Sequence, residues 1–296
     1  MLYFRLFLLL FIFSSCNAQQ AGEKLKSNEN DNSLLWEVSG NGLSQPSYLF
    51  GSFHLMCKDD IRFSAQLLQA VKNSREIYME LDLDDPSILL GGLMLMNMNG
   101  GKTLKDLYSQ KEYEKVERFF KDSLLISMAF FQSMKPAFLE SMLYPKMMPC
   151  RIISGVEEEL VVVAKKEKKE IQGLETMAFQ ASVFDSIPYA DQAKELLKTI
   201  DSLNSYKRFF DTLTRVYKSQ QLEEIEKMFS KAEFGMEDNQ DLLLNNRNKN
   251  WVVRLKTVMN KESVFVAVGA GHLVGKQGLI SLLRKEGFEL RALYNQ

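Results

Sequence analysis

The apolar positions of the chain fall into three regimes. Near the amino end, Leu34-Leu-Trp-Glu-Val38 alternates and stops at Gly40-Asn41-Gly42; Tyr48-Leu-Phe50 then resumes the pattern and runs into Gly51-Ser52-Phe53-His54. Two short strands around a glycine turn predict a hairpin. Over residues 64–74, Leu67, Leu68 and Val71 recur at helical spacing, with Ser64 placed as the cap. The stretch Glu76-Ile-Tyr-Met-Glu-Leu-Asp82 alternates, with Ile77, Met79 and Leu81 on one face and Tyr78, Glu80 and Asp82 on the other. It reads as a strand whose polar face holds two acids.

From about residue 86 to 260 the pattern is helical. Thr103 reads as the cap of 104–108, residues 111–120 show apolar positions at helical spacing, and 124–148 is rich in Met and Phe. Residues 155–169 begin with Glu157, Glu158 and Glu159 and end with Lys165, Lys166, Lys168 and Lys169, the order a helix dipole favours, so this charge run has a local explanation. A short strand at 171–174 and helices near 188–203, 204–218, 220–231 and 237–260 follow. The last regime returns to β/α: the continuous apolar run Ser263-Val-Phe-Val-Ala-Val268, then Gly269-Ala-Gly-His272, a helix over 277–286 and a strand over 288–293. The fold class expected is α/β, a central mixed sheet formed by the N- and C-terminal segments around a large helical insertion. Residues 33–296 read as one domain, with 33–85 and 262–296 as its β/α core and 86–261 mainly helical.

Composition narrows the function. Of 296 residues, 46% are hydrophobic, and 37 Lys and Arg balance 38 Asp and Glu. That excludes a disordered chain and offers no basic surplus for nucleic acid. Residues 1–16 carry one positive charge at Arg5, an apolar run from Leu6 to Phe13 and then small residues, a secretory signal too short to span a bilayer. Phe13-Ser-Ser-Cys16 resembles a bacterial lipobox with Phe where Leu is usual; cleavage after Ala18 is the alternative. The polar residues 17–32 form a tether. An exported protein is expected, anchored in the cell envelope through a lipid on Cys16 or else secreted. Cys57 and Cys150 would then either form a disulfide or stand as separate thiols.

The chain has only two histidines, His54 and His272, and both follow a glycine by three positions just past an apolar strand. Ligand-binding groups collect at such strand ends. Imidazole is both the commonest metal ligand and the commonest base near neutral pH, and either role needs a carboxylate beside it. Glu80 is the best-placed carboxylate, with Asp82 in reserve. His54, Glu80 and His272 would give two nitrogens and an oxygen with open positions, a ligand set of hydrolytic metal centres. No H-E-x-x-H helix, C-x-x-C pair, G-x-S-x-G elbow or P-loop is present.

These residues resemble the TraB/GumN family, whose relatives include the Tiki proteins. The matching pieces are Leu35-Trp-Glu-Val38, Tyr48-Leu-Phe-Gly-Ser-Phe-His54, Tyr78-Met-Glu-Leu-Asp82, Gly173-Leu-Glu-Thr176 with Gln180, Asn246-Arg-Asn248 with Trp251, and Val268-Gly-Ala-Gly-His-Leu273 with Gly275 and Gly278. The resemblance implies a fold shared with erythromycin-esterase-like and haem-binding ChaN-like proteins. For the Tiki relatives it implies a metal-dependent peptidase using Mn or Co; Zn is the further candidate ion. It assigns roles to His54, Glu80, His272, Arg247 and Glu175. Arg247 would hold a substrate carboxylate or oxyanion, and Glu175 or Asp82 would accept a proton from water. The expected function is therefore metal-dependent hydrolysis of a peptide or small molecule. The alternative is an envelope protein that binds haem, a metal or a small ligand in the same cleft, with the Met-rich residues 93–148 lining it.

Overall fold

The computed structural model describes residues 31–86, 92, 94–229 and 239–296. The segments expected as a signal and, except for its last two residues, as a tether lie outside that range. Among the described residues no helix is long and apolar enough to cross a membrane.

The sheet is built on β1 (Leu35–Gly40), β2 (Ser47–Ser52), β4 (Glu76–Met79), β6 (Ile171–Gly173), β7 (Val264–Gly269) and β8 (Phe288–Ala292), in the order β6-β4-β7-β2-β1-β8. A smaller ladder joins β3 (Met56–Cys57) to β5 (Ile153–Ser154). The turn at Gly40-Asn41-Gly42 takes positive φ at all three residues and folds β1 back onto β2. β6, β4, β7 and β2 are mutually parallel, so their carboxyl ends leave from one edge of the sheet. That arrangement positions the site. β7 is the most apolar strand and lies between β4 and β2, buried from Val264 to Val268.

Among the described residues, ten helices pack around the sheet and beside it: α1 (Ala65–Asn73), α2 (Gln110–Phe119), α3 (Pro136–Ser141), α4 (Val156–Glu167), α5 (Met177–Asp185), α6 (Tyr189–Asp201), α7 (Leu203–Ser219), α8 (Leu222–Phe229), α9 (Asn246–Met259) and α10 (Leu279–Lys285). Ser64 caps α1, its Oγ accepting from Leu67 N at 3.0 Å. Residues from α1, α4, α9 and α10 complete the core of the sheet, whereas 98–147, α6 and Tyr206 of α7 form a second core. Met98, Met128, Met134 and Met147 belong to that second core, so these methionines fill an interior, whereas Met94 is exposed.

Three local expectations change. Glu80 lies just past β4, and the second face of that strand is not solvated, because Tyr78 is buried, as Ile77 and Met79 are. The helix α5, capped by the Thr176 hydroxyl, has no counterpart in the periodicity. Finally, the thiol alternative is removed: Cys57 and Cys150 form a disulfide, with their Cα atoms 5.8 Å apart.

Candidate functional site

Four parallel strands deliver the central side chains. β2 and β7 are neighbours, with Ser52 opposite Gly269, so the two G-x-x-H segments leave the sheet side by side. Crowding requires the first of their glycines and keeps the second close to the site's side chains. A Cβ on Gly51 would lie 2.7 Å from Leu273 Cδ1, and one on Gly269 would lie 3.3 Å from Glu80 Oε1 and 3.4 Å from His54 Nε2. β4 and β6 continue the pattern: Leu174 N donates to Met79 O and Glu175 N to Glu80 O, which sets Glu175 beside Glu80.

The structure brings together His54, Glu80, His272, Glu175 and Arg247. His54 Nε2 and His272 Nε2 stand 3.9 and 3.8 Å from the same oxygen, Glu80 Oε1. That oxygen also accepts from Gly269 N at 2.9 Å. His272 is buried on the Trp251 ring, whereas the His54 side chain is 69% exposed. Asn248, from α9, fixes the His272 tautomer. Its Nδ2 donates to the His272 and Gln277 carbonyls, so its Oδ1, 2.7 Å from His272 Nδ1, must accept. Nε2 of His272 is then the lone-pair nitrogen, and it faces Glu80.

Arg247 is spent inside the protein. Nε donates to Glu175, Nη1 to Leu243 O (2.8 Å) and His272 Nε2 (3.2 Å), and Nη2 to Glu80 Oε2 (2.5 Å) and Glu175 Oε1 (2.7 Å). Its guanidinium also lies over the Trp251 ring. All five N–H donors have partners, so in this arrangement none is left for a substrate carboxylate or oxyanion. Glu175 is similarly occupied, accepting from Arg247, Gln180 and Trp251 Nε1.

These contacts set the charges. Burial alone would raise the Glu80 carboxyl, but His272, His54, Arg247 and the Gly269 amide more than offset it and hold it at about 2. Burial pushes His272 down to about 3, so its ring is neutral. The charge of Glu157 raises His54 to about 9. Burial raises Glu175 against the pull of Arg247. Asp82 is raised to about 6 by burial and by Asp84, and its Oδ1 is buried with no hydrogen-bond partner.

Sequence reasoning passed over Glu157. This residue lies in the first turn of α4, buried, with Oε1 2.7 Å from His54 Nδ1 and accepting from Ser52 Oγ at 2.5 Å. The three glutamates that read as one dipole-matched run diverge. Glu158 caps Gly155 N, Glu159 pairs with Lys58 at 3.0 Å, and Glu157 turns toward the site. One signal could have found it: a Cys57–Cys150 disulfide places the residues just before 157 next to those just after His54.

The donor chemistry suits a divalent ion. Both rings give their Nδ1 to a protein acceptor and turn Nε2 to Glu80, the arrangement that orients histidine ligands. The spacing is wider than a loaded site requires, since two ligands on a tetrahedral ion stand about 3.4 Å apart. In keeping with this, no three His, Cys, Asp or Glu side chains among the described residues form a ready-made metal cluster.

Neither a curated protein nor a solved structure matches the chain. A family model does match, and it takes in every strand of the sheet and every residue of the cluster just described. Matched over residues 34–292, the chain belongs to the TraB/PrgY/gumN family.

Proposed function

We propose that the protein is a metal-dependent hydrolase acting on peptides, with His54, Glu80 and His272 as the ion's ligands. The observation that supports this most is the aim of both Nε2 atoms at one oxygen of Glu80, with each Nδ1 occupied by a separate protein acceptor. Such an ion would lower the pKa of a bound water and polarise the scissile carbonyl.

The remaining work falls to the chain's own groups. Arg247 holds Glu80 ionised and oriented, and Asn248 keeps His272 in the tautomer whose Nε2 can bind. Trp251 covers His272 and excludes water from its buried side, while the exposed face of His54 leaves the site open to a substrate. Of the two carboxylates considered as proton acceptors, Glu175 has its oxygens taken by Arg247, Gln180 and Trp251. That leaves Asp82, two residues past Glu80, as the proposed acceptor; its side chain interacts with Asp84 and Asp85 and not with the cluster, and its Oδ1 has no hydrogen-bond partner. Export and lipid anchoring through Cys16 accompany this reading.

The test is cleavage of a peptide library by the metal-free protein, by the protein loaded with Mn, Co or Zn, and by the Asp82→Asn variant. Cleavage that appears on loading, vanishes with a chelator and falls at least 10-fold in the variant supports the reading. Metal-independent cleavage, or none with any ion, overturns it.

A further inference from the structure

We propose that Glu157 is the positioning residue of the site: it fixes the His54 imidazole in the Nδ1–H tautomer and so presents Nε2 to Glu80. Its importance for ion binding rests on the function proposed above; its control of the ring does not.

The geometry is built for this purpose from several sides. His54 has its side chain largely in solvent, so packing does not decide the ring's orientation or tautomer. Among the described residues, the carboxylates that face its ring nitrogens are Glu157 at Nδ1, 2.7 Å away, and Glu80 beyond Nε2 at 3.9 Å. Glu157, unlike His54, is held firmly. It is buried, it accepts from the Ser52 hydroxyl, and it lies in the first turn of α4, where the free backbone amides favour an anion. A carboxylate without protons can only accept, so the partner nitrogen must bear the hydrogen.

The backbone delivers Glu157 to this position. Val156 N donates to Phe53 O at 3.0 Å, and Gly155 packs so closely on the His54 carbonyl that a Cβ there would lie 2.8 Å from the oxygen. The β3–β5 ladder and the Cys57–Cys150 disulfide fasten the segment after His54 to the segment before Glu157. Two stretches of chain about a hundred residues apart are thus clasped at the point where the ring meets its acceptor.

The chain's two histidines make the test direct. Nitrogen NMR of the rings in the metal-free, full-length protein at alkaline pH, with both neutral, gives two patterns, and His54→Ala assigns them. The wild type is expected to show Nδ1–H for both. Glu157→Ala should turn His54 mainly to the Nε2–H form, while His272, held by Asn248, stays Nδ1–H and reports an intact fold. Glu157→Gln retains an accepting oxygen and should restore Nδ1–H. Zn titrations of the same proteins should show affinity reduced 10- to 100-fold in Glu157→Ala and largely recovered in Glu157→Gln. A His54 ring that stays Nδ1–H in Glu157→Ala overturns the proposal. A changed tautomer with unchanged Zn affinity overturns the residue's role at the ion site. If the wild type binds no ion, the hydrolase reading fails, while the NMR result still decides the tautomer.

Discussion

Arg247 joins two acids and a neutral histidine in one buried network, so the residue scale is where the strongest energetic consequences lie. Replacing it by Lys keeps a charge but loses the planar fork that reaches Glu175, Glu80, His272 and Leu243 together. We expect Arg247→Lys to lower stability by about 2–4 kcal/mol in urea unfolding, because the buried carboxylates lose donors. Glu80 gives a pH signature. Its carboxyl is held near 2 in the folded protein, below the ordinary value of 4.5, so its stabilising contribution is fully present above 4.5 and lost as pH falls through 2. Glu80→Gln should therefore be less stable than the wild type at pH 7, and thermal melts should show the gap narrowing between pH 4.5 and 2. A gap independent of pH would contradict the assignment. The two motif glycines should differ. Gly51→Ala meets Leu273 and Leu34 side chains and the Ala270 backbone and should destabilise strongly. Gly269→Ala meets only the ends of Glu80 and His54, and should weaken ion binding with little loss of stability.

The elements that position the site were unequally legible in the sequence. β2 and β7 could be read because an apolar run ending in G-x-x-H is visible on its own, and their parallel pairing then places the two histidines side by side. β4 was recognised as a strand, but its contrast of faces misled: a strand lying between two parallel neighbours buries Tyr78 as well as Ile77 and Met79. α5 escaped because Met177-Ala-Phe-Gln-Ala-Ser-Val-Phe-Asp185 scatters its polar Gln180, Ser182 and Asp185 around the helix and so shows no period. The β3–β5 ladder, two residues on each side, is too short to leave a pattern. Glu157 was hidden for another reason: a local rule already explained its charge, and its partner arrives only through the tertiary clasp. That clasp can be tested as an element. Cys57→Ala with Cys150→Ala opens a loop of 93 residues and should cost about 4–5 kcal/mol in chain-entropy accounting. It should also weaken Zn binding. Unchanged stability by urea unfolding would show that the β3–β5 ladder alone holds the segments.

At the scale of the whole molecule, one edge of a parallel sheet collects what the linear sequence scatters. His54 comes from the first strands, Glu80 from the next, Glu175 from the helical middle, Arg247 and Asn248 from α9, and His272 from the last β/α unit. The helical insertion contributes a second core and, through β6 and α4, two acids of the cluster. This division explains why the two histidines were found from their context whereas their supporting shell was not: strand ends are written locally, and the partners that orient a ring are written only in the fold. The central claim is that His54, Glu80 and His272 bind one divalent ion. Calorimetric titration of the metal-free protein with Mn, Co and Zn, alongside His54→Ala and His272→Ala, tests it most directly. One ion per wild-type chain, lost or weakened at least 100-fold in each variant, is the result predicted. Equal stoichiometry and affinity in all three proteins would contradict it.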